Sequence, residues 1–256
     1  MLDGNGRTLK TTQTSLQILE LILEHEGLSL AEFDQMIDKP KSSLHSHLNT
    51  LVDCRYLVKE EGVYKPSFRL ALLGDRARQR NRLKSVAVEK IDELTAATGE
   101  EANFTVLEYG RLLMIYGSSG VTPNADDDAL FRREYHLHNT AAGKALLAEL
   151  DRDHVESILD EWGMPRETES TITDRERLYS SLETISDRGY AIVNEEFAPG
   201  LVAVGAVVHN DEEDVVGGLS IGGPKYRIDM SRLHDELADQ LLATVAELER
   251  ESPILV

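Results

Sequence analysis

Hydrophobic positions near the start of the chain repeat at helical spacing. Five aliphatic residues within 15–27 recur three or four apart, namely Leu16, Ile18, Leu19, Ile22 and Leu23. This spacing predicts an amphipathic helix that ends at Gly27. Ser29 and Glu32 have the spacing of a capping box, in which a side chain and a backbone N–H satisfy each other at a helix start. A second helix is therefore predicted from Ser29 to about Ile37.

A third helix is predicted from near Ser42, because the residue before Pro40 is biased away from helix and ends the second one. Its apolar stripe consists of Leu44, Leu48 and Leu51. These leucines must face the first two helices. Two short β-prone runs, 56–59 and 63–66, then flank a tight turn at Gly62 and predict a hairpin. Three helices followed by a hairpin predict a winged helix-turn-helix.

The face of the third helix opposite its leucines is polar but almost uncharged. Ser, His and Asn side chains offer hydrogen bonds to base edges and phosphates, whereas a row of carboxylates would be repelled by DNA. Ser42 and Ser43 lie at the helix start, where free backbone N–H groups favour a phosphate. We predict DNA contacts by Lys41, Ser42, Ser43, His45, Ser46, Asn49, Lys59 and Lys65. A small three-helix protein-binding module is the alternative interpretation.

A further helix is predicted from about Asp75 to Thr98, after Gly74 ends the first module. Residues 76–84 contribute five Lys or Arg to its start, and its later part carries an apolar side. A helix exposed along its length usually buries such a side, and a second copy of the chain is the simplest partner. We therefore expect a homodimer or homotetramer. The predicted domains are 1–74, a linker helix over 75–98, and 99–256.

Strand-like runs alternate with helical patterns from Gly99 onward. Strands are predicted at 102–109, 111–118, 135–138, 190–196, 202–209 and 215–223. Helices are predicted at 141–150, 151–161, 174–188 and 230–250. The first two strands are separated by a single glycine, so they pair as an antiparallel hairpin. The pattern predicts an α+β architecture, with an antiparallel sheet that has helices on one face.

Charge divides the chain into the same two parts. The formal net charge is −19, but residues 1–84 carry +2 and residues 85–256 carry −21. The near-neutral first part is compatible with a DNA partner that the whole-chain charge would disfavour. A general acidic surface with few lysines is also typical of proteins that work in molar salt, where repulsion is screened. We expect a halophilic protein, with an ordinary acidic cytosolic protein as the alternative.

The amino-acid composition indicates where the protein is located and which kinds of site it can contain. The chain has no run of 18 apolar residues and no apolar signal core near its start, so we expect a cytoplasmic protein with no membrane partner. A single cysteine, Cys54, excludes internal disulfides and a Cys-rich metal site. We expect no cofactor.

Four stretches, in this order and spacing, resemble the IclR-type transcriptional regulators over essentially the whole chain. They are residues 28–57, 138–150, 188–208 and 217–228. The resemblance implies a dimer or tetramer that binds operator DNA. It also implies a GAF-like C-terminal domain that binds a small carboxylate or a metabolite of aromatic or sugar catabolism.

The same resemblance implies an effector pocket. Its residues in this chain are Ala141, Ala142, Val193, Asn194, Ala203, Ser220 and Gly222. The family pattern is more polar at Val193, Ala203 and Gly222, so that only Asn194 and Ser220 keep polar side chains here. We therefore expect an anionic effector with an apolar or aromatic body, in preference to a two- or three-carbon acid. A vestigial pocket in a ligand-independent DNA-binding protein is the alternative.

One pattern suggests an enzyme. Residues 218–222 fit the G-x-S-x-G nucleophile motif with Ser220 at its centre. A hydrolase would also need an acid and a histidine on later strands, yet His234 lies in a helical pattern. A hydrolase that uses Ser220 is the alternative, and we expect that the protein is not an enzyme.

Another pattern suggests a metal. His136 and His138 alternate on one predicted strand face and could bind a metal with His154 or Asp126. Two histidines two residues apart are common by chance, so we expect no metal site. The acidic run 124–128 could bind a cation, but we interpret it as a solvated loop.

Overall fold

The structure is a computed structural model in which the chain forms two compact units, residues 1–80 and residues 81–256. It describes residues 8–25, 27–79, 83–120, 134–210 and 214–251. Within this described part, no helix is long and apolar enough to cross a membrane.

The first unit is a winged helix-turn-helix, as predicted. Its helices are α1 (Lys10–Glu24), α2 (Leu30–Met36), α3 (Lys41–Asp53) and α4 (Arg69–Gln79). Its strands are β1 (Leu28–Ser29), β2 (Leu57–Glu60) and β3 (Val63–Pro66), in the antiparallel order β1-β3-β2. The predicted leucine stripe of α3 is buried against Ile18, Ile22 and Phe33. Burial of these side chains supplies the main stabilising term for so small a unit.

Local sequence signals account for several boundaries of this unit. Ser29 and Glu32 form the predicted capping box, with the Ser29 N–H donating to Glu32 Oε2 at 2.7 Å. Glu61 and Gly62 both have positive φ, which gives the tight turn between β2 and β3. Strand β1 has no signal in the sequence, because its two residues carry no periodicity and pair with Val63 and Tyr64 only in the folded unit.

The buried face of α1 differs from the expected one. Helix α1 begins at Lys10, five residues earlier than predicted, and buries Thr14, Ile18 and Ile22. Leu16 and Leu23 are 54% and 56% exposed. Residues four apart lie on one helix face, so the run from Thr14 to Ile22 sets the core side and turns the two leucines outward.

The junction between the units also differs from expectation. Gly74, predicted to end the first module, lies inside α4, because a helix tolerates one glycine at a cost of about 1 kcal/mol. The next helix, α5, spans Leu83–Thr98. The predicted continuous helix over 75–98 includes residues 80–82, which lie outside the described residues.

The second unit is built on a six-stranded antiparallel sheet. Its strands are β4 (Glu101–Glu108), β5 (Arg111–Ser118), β6 (Glu134–Tyr135), β7 (Ala191–Asn194), β8 (Leu201–His209) and β9 (Val215–Pro224). Their order is β6-β5-β4-β9-β8-β7. A strand is found within or overlapping each predicted run. However, β6 ends at Tyr135, so His136 and His138 do not share a strand face.

Helices cover both faces of this sheet, so the prediction of helices on one face is wrong. They are α6 (Ala141–Glu149), α7 (Arg152–Trp162), α8 (Arg175–Arg188) and α9 (Ala238–Glu251), the last entered through a π-helical turn at Arg232–Leu237. Helices α5 and α9 pack on one face of the sheet. Helices α6, α7 and α8 contribute to the hydrophobic core on the other face. Strand β8 is buried at successive positions instead of alternating, which is typical of a strand covered on both sides.

A glycine lets α6 approach the sheet closely. A Cβ atom at Gly205 would lie 2.4 Å from the Ala142 nitrogen and 2.5 Å from the Ala141 carbonyl carbon. Only glycine leaves room for backbone to pack on backbone there. The first turn of α6 is thereby held directly over β8.

Candidate DNA-binding surface and ligand cavity

The predicted DNA-contacting residues of α3 share one open face. Lys41, Ser42, His45, Ser46 and Asn49 are exposed, and Ser43 is half-buried. No side chain caps the start of α3, where Pro40 precedes the helix. Uncapped first-turn N–H groups are the part of a helix that favours a phosphate.

Hydrogen bonds order this face before any partner binds. Asn49 Nδ2 and His45 Nδ1 are 3.3 Å apart, and the Ser46 hydroxyl donates to the Ser42 carbonyl at 2.9 Å. Thr50, which is not among the predicted residues, is exposed one turn after Ser46, and its hydroxyl donates to the Ser46 carbonyl at 2.8 Å. Its position four residues beyond Ser46 is the signal that could have found it.

The β2–β3 hairpin is the wing of the first unit, and the two lysines that are predicted to contact DNA from it have different surroundings. The Lys65 ammonium donates to Glu60 Oε2 at 2.7 Å, so its charge is already paired. The Lys59 ammonium lies 4.8 Å from the centre of the Tyr64 ring and is exposed. Lys59 therefore has the freer positive charge for a phosphate.

A cavity of about 300 Å³ lies beside the first turn of α6 in the second unit. Six of the seven predicted effector residues line it: Ala141, Ala142, Val193, Ala203, Ser220 and Gly222. Asn194 does not. Successive strand residues point to opposite faces, so the lining position of Val193 turns Asn194 away. The predicted hydrogen bond from Asn194 to an effector is therefore not supported by the geometry.

Polar groups that could bind a ligand in the cavity lie at the start of α6 and on β9. The Thr140 hydroxyl donates to the His136 carbonyl at 3.0 Å instead of capping the helix. Within the described part of the chain, the first-turn N–H groups at Ala141 and Ala142 thus have no side-chain partner. Such groups carry the positive end of the helix dipole. The Ser220 hydroxyl, which makes no hydrogen bond within the described residues, adds a neutral donor and acceptor.

One wall of the cavity is apolar. It is formed by Leu112, Met114, Tyr135, Phe197 and Leu201. The Tyr135 and Phe197 rings meet edge to face, with centroids 5.5 Å apart. None of these residues is among the predicted effector residues, because only the folded sheet brings β5 and β6 close to the segment that follows β7.

A buried ion pair connects α6 to that segment. The Lys144 ammonium donates to Glu196 at 2.7 and 2.5 Å, and the Lys144 side chain is 1% exposed. Desolvation lowers the pKa of Lys144, although Glu196 opposes this shift. The Thr171 hydroxyl donates to the Glu196 carbonyl at 2.7 Å and further holds the segment. Because Phe197 follows Glu196 directly in the sequence, this ion pair holds Phe197 in its position in the cavity wall.

Two charged side chains, Glu101 and Arg227, are among the described residues that line the cavity. The Glu101 carboxylate accepts a hydrogen bond from Asn103 Nδ2 at 2.8 Å. Arg227 donates to Glu100, a carboxylate that Arg232 also binds. The hydrogen bond to Glu100 raises the pKa of Arg232. This cluster is not visible in the sequence, because Glu100 lies 127 residues from Arg227 and 132 from Arg232.

The surroundings of Ser220 differ from a hydrolase nucleophile site. Ser220 lies inside β9 and pairs with Asn103 on one side and Gly205 on the other. A nucleophile elbow instead requires a sharp turn from a strand directly into a helix.

The two histidines considered as metal ligands lie in the turn after β6. Their rings are 5.6 Å apart, and His138 Nε2 is 3.1 Å from the Pro165 carbonyl oxygen. Burial lowers the pKa of His138 to about 4, so its ring is neutral near pH 7. Across the described ranges, no three metal-ligating side chains converge. Asp126 and the acidic run 124–128 lie outside those ranges.

A winged helix-turn-helix joined to a domain with a ligand-sized cavity defines a DNA-binding regulator with a sensor domain. Residues 13–61 match the IclR helix-turn-helix domain, and residues 76–250 match the bacterial transcriptional regulator IclR C-terminal domain. The chain therefore belongs to the IclR family of transcriptional regulators. Members of this family are regulators with a DNA-binding domain and a C-terminal ligand-binding domain, not enzymes.

Similar proteins include two named regulators. The probable HTH-type transcriptional regulator ArcR of Halobacterium salinarum is 29% identical over 248 residues, 96% of this chain and 93% of that protein. The HTH-type transcriptional regulator KdgR of Escherichia coli is 32% identical over 239 residues, 93% of this chain and 90% of that protein.

A solved structure is similar to the second unit. It is the inducer-binding domain of a double mutant of the Acinetobacter PobR transcription factor in complex with 3-hydroxybenzoic acid. The two chains share 26% identity and superpose with a TM-score of 0.60, over 66% of this chain and 98% of that one.

Proposed function

We propose that this protein is a transcriptional regulator whose binding to operator DNA is controlled by a small organic acid in the cavity beside α6. The observation that carries the proposal is the cavity itself, at about 300 Å³, with uncapped N–H groups at one end. Such volumes are typical of small-molecule sites. A cavity of this kind supports the effector-controlled regulator over the vestigial alternative.

We further propose that the effector has an apolar or aromatic body. The carboxylate would accept hydrogen bonds from the N–H groups at Ala141 and Ala142, and the Ser220 hydroxyl would add another. The apolar wall would cover the rest of the molecule. The bound aromatic acid named for the PobR domain supports this chemistry by analogy.

Thermal shift tests the effector proposal directly. A ligand of the folded state raises the melting temperature by an amount set by its concentration and dissociation constant. We expect 3-hydroxybenzoate to raise the melting temperature more than pyruvate or glyoxylate at equal concentration in molar KCl. Ser220→Val should reduce the shift. If small keto acids act and aromatic acids do not, the apolar-body proposal is wrong; if no acid acts, the vestigial pocket is favoured.

For DNA, we propose that α3 reads the operator and that the wing contacts the backbone. If Asn49 binds an adenine edge, Asn49→Ala should cost about 1–3 kcal/mol and relax specificity at one position. Lys59→Ala should instead weaken binding to all sequences about equally, since phosphates carry no sequence information. Fluorescence anisotropy against operator and scrambled duplexes measures both. Unchanged affinity and specificity in a His45→Ala/Asn49→Ala double variant would contradict the assignment.

We also propose a homodimer, or a homotetramer built from it. Exposed apolar residues on the first unit support this. Leu9 precedes α1, and Leu16 and Leu23 follow it at seven-residue spacing within the helix. Phe68, just before α4, is 92% exposed, and Leu72 within α4 is 64% exposed. Large apolar side chains in water favour a protein partner. Two-fold symmetry would require a near-palindromic operator. A stable monomer in sedimentation at micromolar concentration and molar salt would refute this.

A further inference from the structure

Arg227 connects the cavity to a buried carboxylate. Glu100 is 1% exposed and accepts hydrogen bonds from Arg227 Nε at 3.1 and 3.0 Å and from Arg227 Nη2 at 2.5 Å. Arg232 Nη1 donates to Oε1 of the same carboxylate at 2.7 Å. One buried carboxylate is thus shared by two guanidinium groups.

The two arginines are not equally satisfied. Arg232 also donates to the Thr98 carbonyl at 3.0 Å and to a second carboxylate, Glu236, at 3.3 Å. Among the described residues, Arg227 binds no carboxylate except the shared Glu100, and its Nη1 makes no hydrogen bond. Because Arg227 lines the cavity and Arg232 is not among the residues that do, the incompletely used guanidinium is the one that a ligand can reach.

The surroundings of the cavity make a second cationic contact valuable to an anion. Glu101 lines the same cavity, and residues 85–256 carry a net charge of −21. The start of a helix contributes the equivalent of only about half an elementary charge. A ligand with two acidic groups would therefore need more than α6 alone, and Arg227 is the cationic side chain among the described lining residues.

We propose that Arg227 binds a second acidic group of the effector, so that the cavity prefers dicarboxylates to monocarboxylates of the same length. One carboxylate would lie at the start of α6 and the other at Arg227 Nη1, with the carbon chain crossing the cavity between them. Arg232 would keep Glu100 neutralised while Arg227 engages the ligand. This inference rests on the proposed anionic effector and specifies its chemistry.

Matched pairs of acids and of variants test it. Isothermal titration in molar KCl would compare adipate with hexanoate, and phthalate with benzoate, for the wild type, Arg227→Gln and Arg232→Gln. We expect at least one dicarboxylate to bind the wild type roughly tenfold or more tightly than its monocarboxylate partner, as is typical of hydrogen bonds to charged groups. Arg227→Gln should abolish that preference. Arg232→Gln, which removes a guanidinium from the same carboxylate but not from the cavity, should retain it.

Loss of stability does not separate the two roles, because Arg227→Gln and Arg232→Gln each remove one partner of Glu100. A merely structural role for Arg227 would leave the preference for dicarboxylates unchanged in Arg227→Gln. Arg227→Lys keeps the charge without the guanidinium fork, and it should retain part of the preference if Arg227→Gln does not fold.

Equal affinity for both acids of each pair in the wild type would overturn the inference while leaving an anionic effector intact. A preference that survives in Arg227→Gln, or that is lost equally in Arg232→Gln, would also overturn it. If no acid binds the wild type, the effector proposal fails as well.

Discussion

Removing one partner of the Lys144–Glu196 ion pair should destabilise the second unit strongly. Both side chains are shielded from water, at 1% and 11% exposure, and the ammonium lies 2.7 and 2.5 Å from the two carboxylate oxygens. Breaking a buried pair leaves an uncompensated charge at a cost of roughly 3–5 kcal/mol. We expect a loss of about this size for Lys144→Met at pH 7, because Glu196 would stay buried without its cation.

Replacing both partners should cost less than either single change. Lys144→Met/Glu196→Met removes both charges and restores much of the packed volume, and such double replacements are often close to neutral. The double-mutant cycle should therefore show strong non-additivity, on the order of 3 kcal/mol, as expected for residues in direct contact.

The two single variants should also respond differently to pH. In Glu196→Gln, desolvation of the ammonium would act without its opposing partner, so the folded-state pKa of Lys144 would lie below that of the unfolded chain. A group with a lowered folded-state pKa destabilises fully at low pH, and that penalty is relieved as pH rises toward the unfolded value. The cost of Glu196→Gln should therefore shrink as pH rises toward the ordinary pKa of a lysine, whereas the cost of Lys144→Met should not.

The single tryptophan makes the measurement selective. Trp162 ends α7 in the second unit, so its fluorescence reports unfolding of that unit. Urea titrations at fixed molar KCl would give the free energy of unfolding for the wild type and the three variants. Additive effects, or a Lys144→Met loss below about 1 kcal/mol, would refute the view that this pair is desolvated and coupled.

Three further outcomes are expected. Burial lowers the pKa of His138 to about 4 from an ordinary value near 6.5. Between these two pH values the unfolded chain binds a proton that the folded chain does not. The free energy of unfolding should therefore fall by on the order of 3 kcal/mol as pH drops from 6.5 to 4. His138→Gln should lack that loss in urea titrations, while His154→Gln, on the exposed part of α7, should behave like the wild type. Gly205→Ala should lower the melting temperature and weaken effector binding, since its Cβ would meet the Ala142 nitrogen at 2.4 Å; an unchanged melting temperature would contradict the close packing of α6. The melting temperature should fall steeply below about molar KCl because residues 85–256 carry −21, and independence from salt would count against a halophilic protein.

Local signals in the sequence determined much of the first unit. The capping box at Ser29, the leucine stripe of α3 and the turn at Gly62 each depend on residues within one or two turns of each other. The same holds for the strand positions in the second unit. These features follow from short-range backbone preferences and hydrophobic spacing, so they are visible without tertiary contacts.

The composition of the cavity needed more than local signals. Resemblance to a family indicated six lining positions, but it also included Asn194, whose neighbour Val193 takes the inward-facing position on β7. Neighbouring residues of a strand point to opposite faces of the sheet, so a shift of one residue changes which side chain faces the cavity. Similarity in sequence does not show which of the two residues does so.

Only the tertiary structure decided which distant residues meet. Glu100 and Arg227 are separated by 127 residues, and Lys144 and Glu196 by 52. It also decided that α1 buries Ile18 and Ile22 instead of Leu16 and Leu23, and that helices cover both faces of the sheet. Such choices depend on how whole elements pack, because burial and ion pairing are properties of surfaces brought together and carry no fixed spacing along the chain.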